Sequence, residues 1–220
     1  TKSEAPALNT GTYRQGAATI ANTYAAFIGG YGASDTVWTA AFYDSSLTKT
    51  TESTYMDYFG YRRGCNVGNY GIFPNSHYSK TTTILVFNSS KTRSTITASE
   101  SKEGAGTASN SNYAVLAGGG GTAIVEAYNS SLTKINLTAL TEPSSSSMGT
   151  SLNGCVIFGG GGSSSYVTCY DESLTKTTST LRSSQISEPA AVSIGNYALF
   201  IGGRNYDVDY YYGVDAFTVD

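Results

Sequence analysis

An all-β fold built from repeated four-stranded antiparallel units is what this sequence predicts. Three observations predict it: a recurring apolar segment, a recurring turn segment, and a near-constant spacing between copies. The apolar segment Asn-Tyr-Ala-Leu-Phe-Ile-Gly-Gly at 196–203 returns at 22–30, 112–119, 153–160 and, in degenerate form, 69–75. Aligned on Tyr24, Tyr70, Tyr113, Gly154 and Tyr197, the copies lie 46, 43, 41 and 43 residues apart. Such a period is the signature of stacked supersecondary units. The turn segment follows each of the first four copies, at 43–49, 87–93, 128–134 and 170–176, most often as Asx-x-Ser-Leu-Thr-Lys.

Each unit resolves into four strands, a to d, exemplified by 189–194, 196–201, 167–170 and 174–181. The runs at 84–87, 125–128 and 167–170 have strand length and β-branched or aromatic content, and Gly or Asx-Ser clusters separate them, which argues against helices. Gly68-Asn69 and Gly195-Asn196 suit the positive φ of a two-residue a–b hairpin. Asp44, Asn88, Asn129 and Asp171 are placed to form Asx turns between c and d. Strand b is almost wholly apolar, so it needs a neighbour against each face, as when the blades of a β-propeller pack face to face.

The last copy stops after strand c at 214–217, and the chain opens with Thr1-Lys2, the start of strand d elsewhere. An N-terminal strand d joining the C-terminal strands a to c would close the ring and remove two exposed edges. The expectation is one domain over 1–220: a five-bladed β-propeller with four antiparallel strands per blade. The double glycine after an apolar b strand, followed by an aromatic c strand, resembles the kelch-type propeller repeat over essentially the whole chain. It departs from that pattern where kelch repeats carry a strand-d Trp, the nearest positions here being Leu47, Lys91, Leu132 and Leu174. It is also similar to Gly/Ser/Thr-rich kelch-like arrays of bacterial and prophage surface or tail proteins, a resemblance that implies adhesion at a cell surface or virion tail.

Composition narrows the function. Charged residues are 13 % of the chain, the net charge is −3 and the pI is near 5.1, so no basic footprint for nucleic acid exists. No apolar run is long enough to cross a bilayer as a helix. The chain opens at Thr1 rather than Met, and the expectation is a processed piece whose targeting signal lies outside it. Three cysteines, Cys65, Cys155 and Cys169, do not make a disulfide framework. Cys155 and Cys169 are equally far from the connection between their strands and are expected opposite each other, as buried free thiols.

Propeller geometry puts the a–b and c–d turns on one side and the b–c and d–a connections on the other. The first side repeats nearly the same words, whereas the second differs from blade to blade. Its candidate ligand-binding residues are Tyr31 and Trp38 in the first b–c connection, Tyr58, Tyr61 and Arg62 in the first d–a connection, and His77 and Tyr78 in the second b–c connection. The fifth b–c connection adds Arg204, Asn205, Tyr206, Tyr210 and Tyr211. Tyr and Trp rings surrounded by Ser, Gly and Asn form the chemistry of combining loops, suited to sugars or protein epitopes. The third and fourth blades offer mostly Gly and Ser there, so the patch should be lopsided.

Signals for catalysis are few. His77 is the one histidine and no Gly-x-Ser-x-Gly elbow accompanies it; Asp207 and Asp209 fall short of a calcium loop. The reading is a non-catalytic recognition module without metal or cofactor, binding a glycan or protein receptor extracellularly. The alternatives are a structural spacer or assembly unit of a larger protein and, behind it, a glycan-cleaving enzyme with paired carboxylates. Lys2, Lys49, Arg93, Lys134 and Lys176 begin the outermost strands and read as charges guarding exposed edges.

Overall fold

The structure, a computed structural model, describes residues 4–8, 15–30, 39–53, 63–74, 81–162, 164–181, 186–205, 210 and 212–219. Among these the chain is all-β and forms no helix, hence none long and apolar enough to cross a membrane. Sheet I holds β1 (Gly16–Ile20), β2 (Tyr24–Ile28), β3 (Thr39–Asp44) and β4 (Lys49–Ser53), and sheet II holds β5 (Cys65–Val67), β6 (Tyr70–Phe73), β7 (Thr83–Asn88) and β8 (Arg93–Thr97). Sheet III follows with β9 (Gly106–Ser109), β10 (Tyr113–Ala117), β11 (Val125–Asn129) and β12 (Lys134–Leu137). Sheet IV holds β13 (Met148–Leu152), β14 (Cys155–Gly159), β15 (Tyr166–Tyr170) and β16 (Lys176–Thr180). After β17 (Ile186–Ser187), sheet V holds β18 (Ala190–Ile194), β19 (Tyr197–Ile201) and β21 (Val214–Phe217), while β20 (Arg204–Asn205) pairs with β17 as a separate ribbon. Strands in each four-stranded sheet run in chain order, every pair antiparallel, which matches the a–d reading.

The five sheets pack in sequence. Their first strands β1, β5, β9, β13 and β18 lie side by side in chain order, and four apolar clusters fill the spaces between successive sheets. The apolar b strands work on both faces, as expected. In β10, Ala114 and Leu116 face sheet II while Val115 and Ala117 face sheet IV; in β14, Val156 and Phe158 face sheet III while Cys155 and Ile157 face sheet V. Period-two alternation along a strand with two neighbours demands apolar residues at every position.

Between strands c and d, one turn is built four times. Oδ1 of Asp44, Asn88, Asn129 or Asp171 accepts from the backbone N–H two and four residues on, at 2.8–3.0 Å. Each turn places a non-glycine residue, Leu47, Lys91, Leu132 or Leu174, at φ of 60–63°. A left-handed side chain costs about 1 kcal/mol or more, and burial of Leu132 and Leu174 against the inter-sheet cores offsets it. Leu47, Lys91, Leu132 and Leu174 therefore serve as turn residues here.

The first lysine of strand d does more than guard an edge. Lys176 Nζ donates to Ala139 O at 2.7 Å, Lys134 Nζ donates to Ser99 Oγ at 2.9 Å, and Lys49 Nζ donates to Ala7 O. Each lysine thus ties its sheet to the connection that precedes that sheet.

Two expectations need correction. Leu152 pairs with Cys155 across a two-residue turn, so Cys155, not Gly154, stands where Tyr197 does, and the glycine pair equivalent to Gly202-Gly203 is Gly160-Gly161. Gly154 is consumed by the turn, with Asn153 at φ 49° and Gly154 at φ 80°. Gly159 remains in β14, where a Cβ would come within 2.9 Å of the Phe200 ring. Cys155 and Cys169 are free, as expected, but only Cys155 is buried, Cys169 being half-buried, and they are not opposite: Cys169 pairs with Ile157, which puts Cys155 on the diagonal. Burial pushes the Cys169 thiol up to about 12.

Candidate functional site

Among the described residues, the connections that precede β9, β13 and β18 are joined in series. Ser146 N donates to Gly104 O at 2.8 Å and Glu188 N donates to Ser146 O at 3.2 Å. Gly104, Ser146 and Glu188 recur at the same point of successive repeats, with φ of 68°, 71° and 54°. Arg63 reaches into this chain of contacts, its Nη1 donating to Gly104 O at 2.8 Å and Ala105 O at 3.2 Å. Burial pulls the Arg63 guanidinium down to about 10, and the nearby Glu188 carboxylate opposes that shift.

Glu188 also belongs to a cavity of about 590 Å³, lined by Glu188, Gly203, Arg204 and Tyr210. The local sequence explains its shape. Gly202 and Gly203, at φ 63° and 109°, turn the chain out of β19, and Gly203 passes so close to Ile186 and Ser187 that no side chain would fit. Arg204 and Asn205 then pair with Ser187 and Ile186. That ribbon fixes the backbone beneath the Arg204 side chain, which is exposed. Tyr210 is 69 % exposed and Tyr212 90 %, so their rings are free to bury surface against a partner. The cavity therefore offers a guanidinium, a carboxylate and an aromatic face with a phenol.

Of the residues singled out from sequence, Arg204 and Tyr210 are brought together in this cavity, with Asn205 in the ribbon beneath it. Tyr31, Trp38, Tyr58, Tyr61, Arg62, His77, Tyr78, Tyr206 and Tyr211 lie outside the described residues, as do Asp207 and Asp209. Sequence reading missed Glu188 and the role of Arg63. The signal available for Glu188 was its position just before the proline that opens strand a, a point also occupied by Ser146 and Gly104. Among the described residues no group of three or more His, Cys, Asp or Glu side chains converges to hold a metal.

No family model and no curated relative matches the chain. Among 315 matching chains of known structure is one described as "Structure of YjhT", with a TM-score of 0.67 and 15 % identity. The alignment covers 94 % of this chain and 82 % of that one. The likeness shows a shared fold. Folds of this kind host unrelated functions, so the activity has to be argued from the site.

Proposed function

We propose that this chain is a non-catalytic recognition module, a kelch-like five-bladed propeller that holds a glycan or protein receptor on the side where its connections diverge. The observation that carries the reading is the cavity in which Arg204, Glu188 and the exposed ring of Tyr210 converge. A tyrosine face stacks on the apolar face of a sugar or buries an epitope side chain, while the guanidinium and carboxylate supply directional hydrogen bonds. The extracellular setting, at a cell surface or virion tail, rests on the resemblance alone.

Ring closure is part of the proposal, and a repeated contact supports it. Tyr170 Oη donates to Thr138 O at 2.6 Å while Lys176 reaches Ala139; Tyr43 Oη donates to Pro6 O at 2.7 Å while Lys49 reaches Ala7. Pro6 and Ala7 thus stand to sheet I as the residues just after β12 stand to sheet IV. The expected outer strand of sheet V, opening at Thr1-Lys2, lies outside the described residues.

A second reading, an assembly unit, draws on one observation. The far face of sheet V carries Val192, Ile194, Tyr197 and Val214 at 49–67 % exposure, an apolar surface of the kind that docks on a neighbour. Glycan arrays and host-surface pull-downs with wild type and Tyr210→Ala, beside light scattering, separate the two. Recognition expects a bound receptor whose affinity falls about tenfold or more in Tyr210→Ala. Silent arrays with self-association abolished by Ile194→Asp would establish the assembly reading instead.

A further inference from the structure

The repeats of sheets III and IV fill the same interior position in two ways. In the first, Lys102 is 1 % exposed, and its Nζ lies 3.5 Å from Glu126 Oε2. The same ammonium donates to Ile124 O at 2.9 Å and to Gly118 O at 3.4 Å. Ser99 N donates to Glu126 Oε1 at 2.7 Å, and Lys134, 33 % exposed, reaches that oxygen at 3.4 Å from the surface. Burial pushes the Glu126 carboxyl up, but the Ser99 amide, Lys102 and Lys134 more than offset this and hold it below the ordinary carboxylate range. A buried pair of this kind persists only where such bonds offset its desolvation.

Neither charge recurs in the next repeat. Met148 pairs with Gly159 as Gly106 pairs with Ala117, so residues of the sheet IV repeat stand 42 positions after their counterparts. Ser144 takes the place of Lys102, Thr168 that of Glu126, and Gly160 and Tyr166 those of Gly118 and Ile124. Two short hydroxyl side chains thus replace two long charged ones, and Phe158 in place of Leu116 returns only part of the lost volume. These five residues line a cavity on the face of sheet IV turned toward sheet III. It leaves about 10 Å³ for the centre of a water-sized sphere, about what one water molecule needs.

The cavity has a polar group to satisfy. Ser144 is 2 % exposed, and its Oγ is buried without a hydrogen-bond partner, although its N–H donates to Thr122 O and its C=O accepts from Gly119 N. Gly161 backs directly onto that hydroxyl, so closely that any side chain there would overlap it. Among the described residues no hydrogen bond occupies the side chain of Thr168, itself 2 % exposed. A hydroxyl left unbonded in the interior costs its full desolvation. An ammonium cannot accept from Ser144, and any cation here would face Thr168 where Lys102 faces a carboxylate. Water both donates and accepts, carries no charge and fits the space.

We propose that this cavity is a binding site for a single internal water, which accepts from Ser144 Oγ and stands where sheet III holds the Lys102 ammonium. Oxygen-17 magnetic relaxation dispersion, which counts long-lived internal waters, tests it on the whole chain, with thermal unfolding beside it. Thr168→Leu introduces the kind of residue that sheet II carries at this position, Leu85, and should lose one such water relative to wild type. Ser144→Ala removes a partner of the water and should lower the melting temperature by about 2–4 °C. A water count unchanged in Thr168→Leu would overturn the proposal. So would a melting temperature unchanged or raised in Ser144→Ala, the result expected when an unbonded buried hydroxyl is removed. Anomalous density from rubidium at Ser144 in a soaked crystal would overturn it too, in favour of a monovalent cation.

Discussion

Sheets III and V are written in nearly the same words, yet among the described residues only sheet III of the two is packed against a neighbour on each face. In β10 every residue from Ala114 to Ala117 is fully buried, whereas β19 alternates, with Ala198 and Phe200 buried and Tyr197 and Ile201 at 52 % and 38 % exposure. Both strands carry the pattern of a doubly covered strand. The difference teaches that the pattern specifies two neighbours, and that only packing delivers them. Sheet III, covered on both sides, also holds the buried Lys102–Glu126 pair, which Lys134 joins from the surface; sheet V, covered on one among the described residues, presents the exposed Tyr210 and Arg204.

The largest effect expected from that contrast is at an inter-sheet core. Phe158, 2 % exposed and edge-on to Tyr170 with centroids 6.4 Å apart, fills the space between sheets III and IV. Phe158→Ala should cost about 3–5 kcal/mol in denaturant unfolding. A cost below about 1 kcal/mol would mean that the sheets do not depend on this packing. Ile194→Asp comes next, on the far face of sheet V at 67 % exposure. If the ring closes over that face in solution, the variant should lose about 2 kcal/mol or more. A change within about 0.5 kcal/mol would leave the face open and remove closure.

Much of this contrast was legible beforehand. The four turns at Asp44, Asn88, Asn129 and Asp171, the strand order, and the two-faced b strands all follow from local rules that act within one repeat. The equivalence of Cys155 was not legible, because Asn153-Gly154 resembles the apolar segment's start while serving as the turn before it. Nor was Glu126 legible as a buried ion, since its partner Lys102 lies 24 residues away and only the fold joins them. Of the candidate site, loop composition singled out Arg204 and Tyr210 among a dozen residues, but Glu188 and Arg63 lie in connections between sheets, and spacing alone does not place those.

Two smaller effects sharpen the account of the well-covered sheets. Burial between sheets II and III pushes the Cys65 thiol up to about 12, from 9.0 for an unperturbed thiol. Above pH 9 the unfolded thiol ionises while the folded one stays protonated, so the unfolded state binds fewer protons and stability falls as pH rises toward 12. The loss should be about 1 kcal/mol by pH 10 and vanish in Cys65→Ala; an unchanged pH slope in that variant would contradict the assignment. Asn129→Ala, which removes the acceptor of two backbone N–H groups, should cost about 1 kcal/mol, and no loss would show that the backbone turn holds alone.

The central claim, that recognition belongs to the side where the connections diverge, is tested most directly by one paired affinity measurement. A receptor or glycan identified by screening is titrated against the Tyr210→Ala/Arg204→Ala variant and against Ser45→Ala/Glu172→Ala, which alters only the opposite, turn side. The account predicts about tenfold or greater weakening in the first and wild-type affinity in the second. Equal affinities in both variants, or loss confined to the turn-side pair, would contradict it.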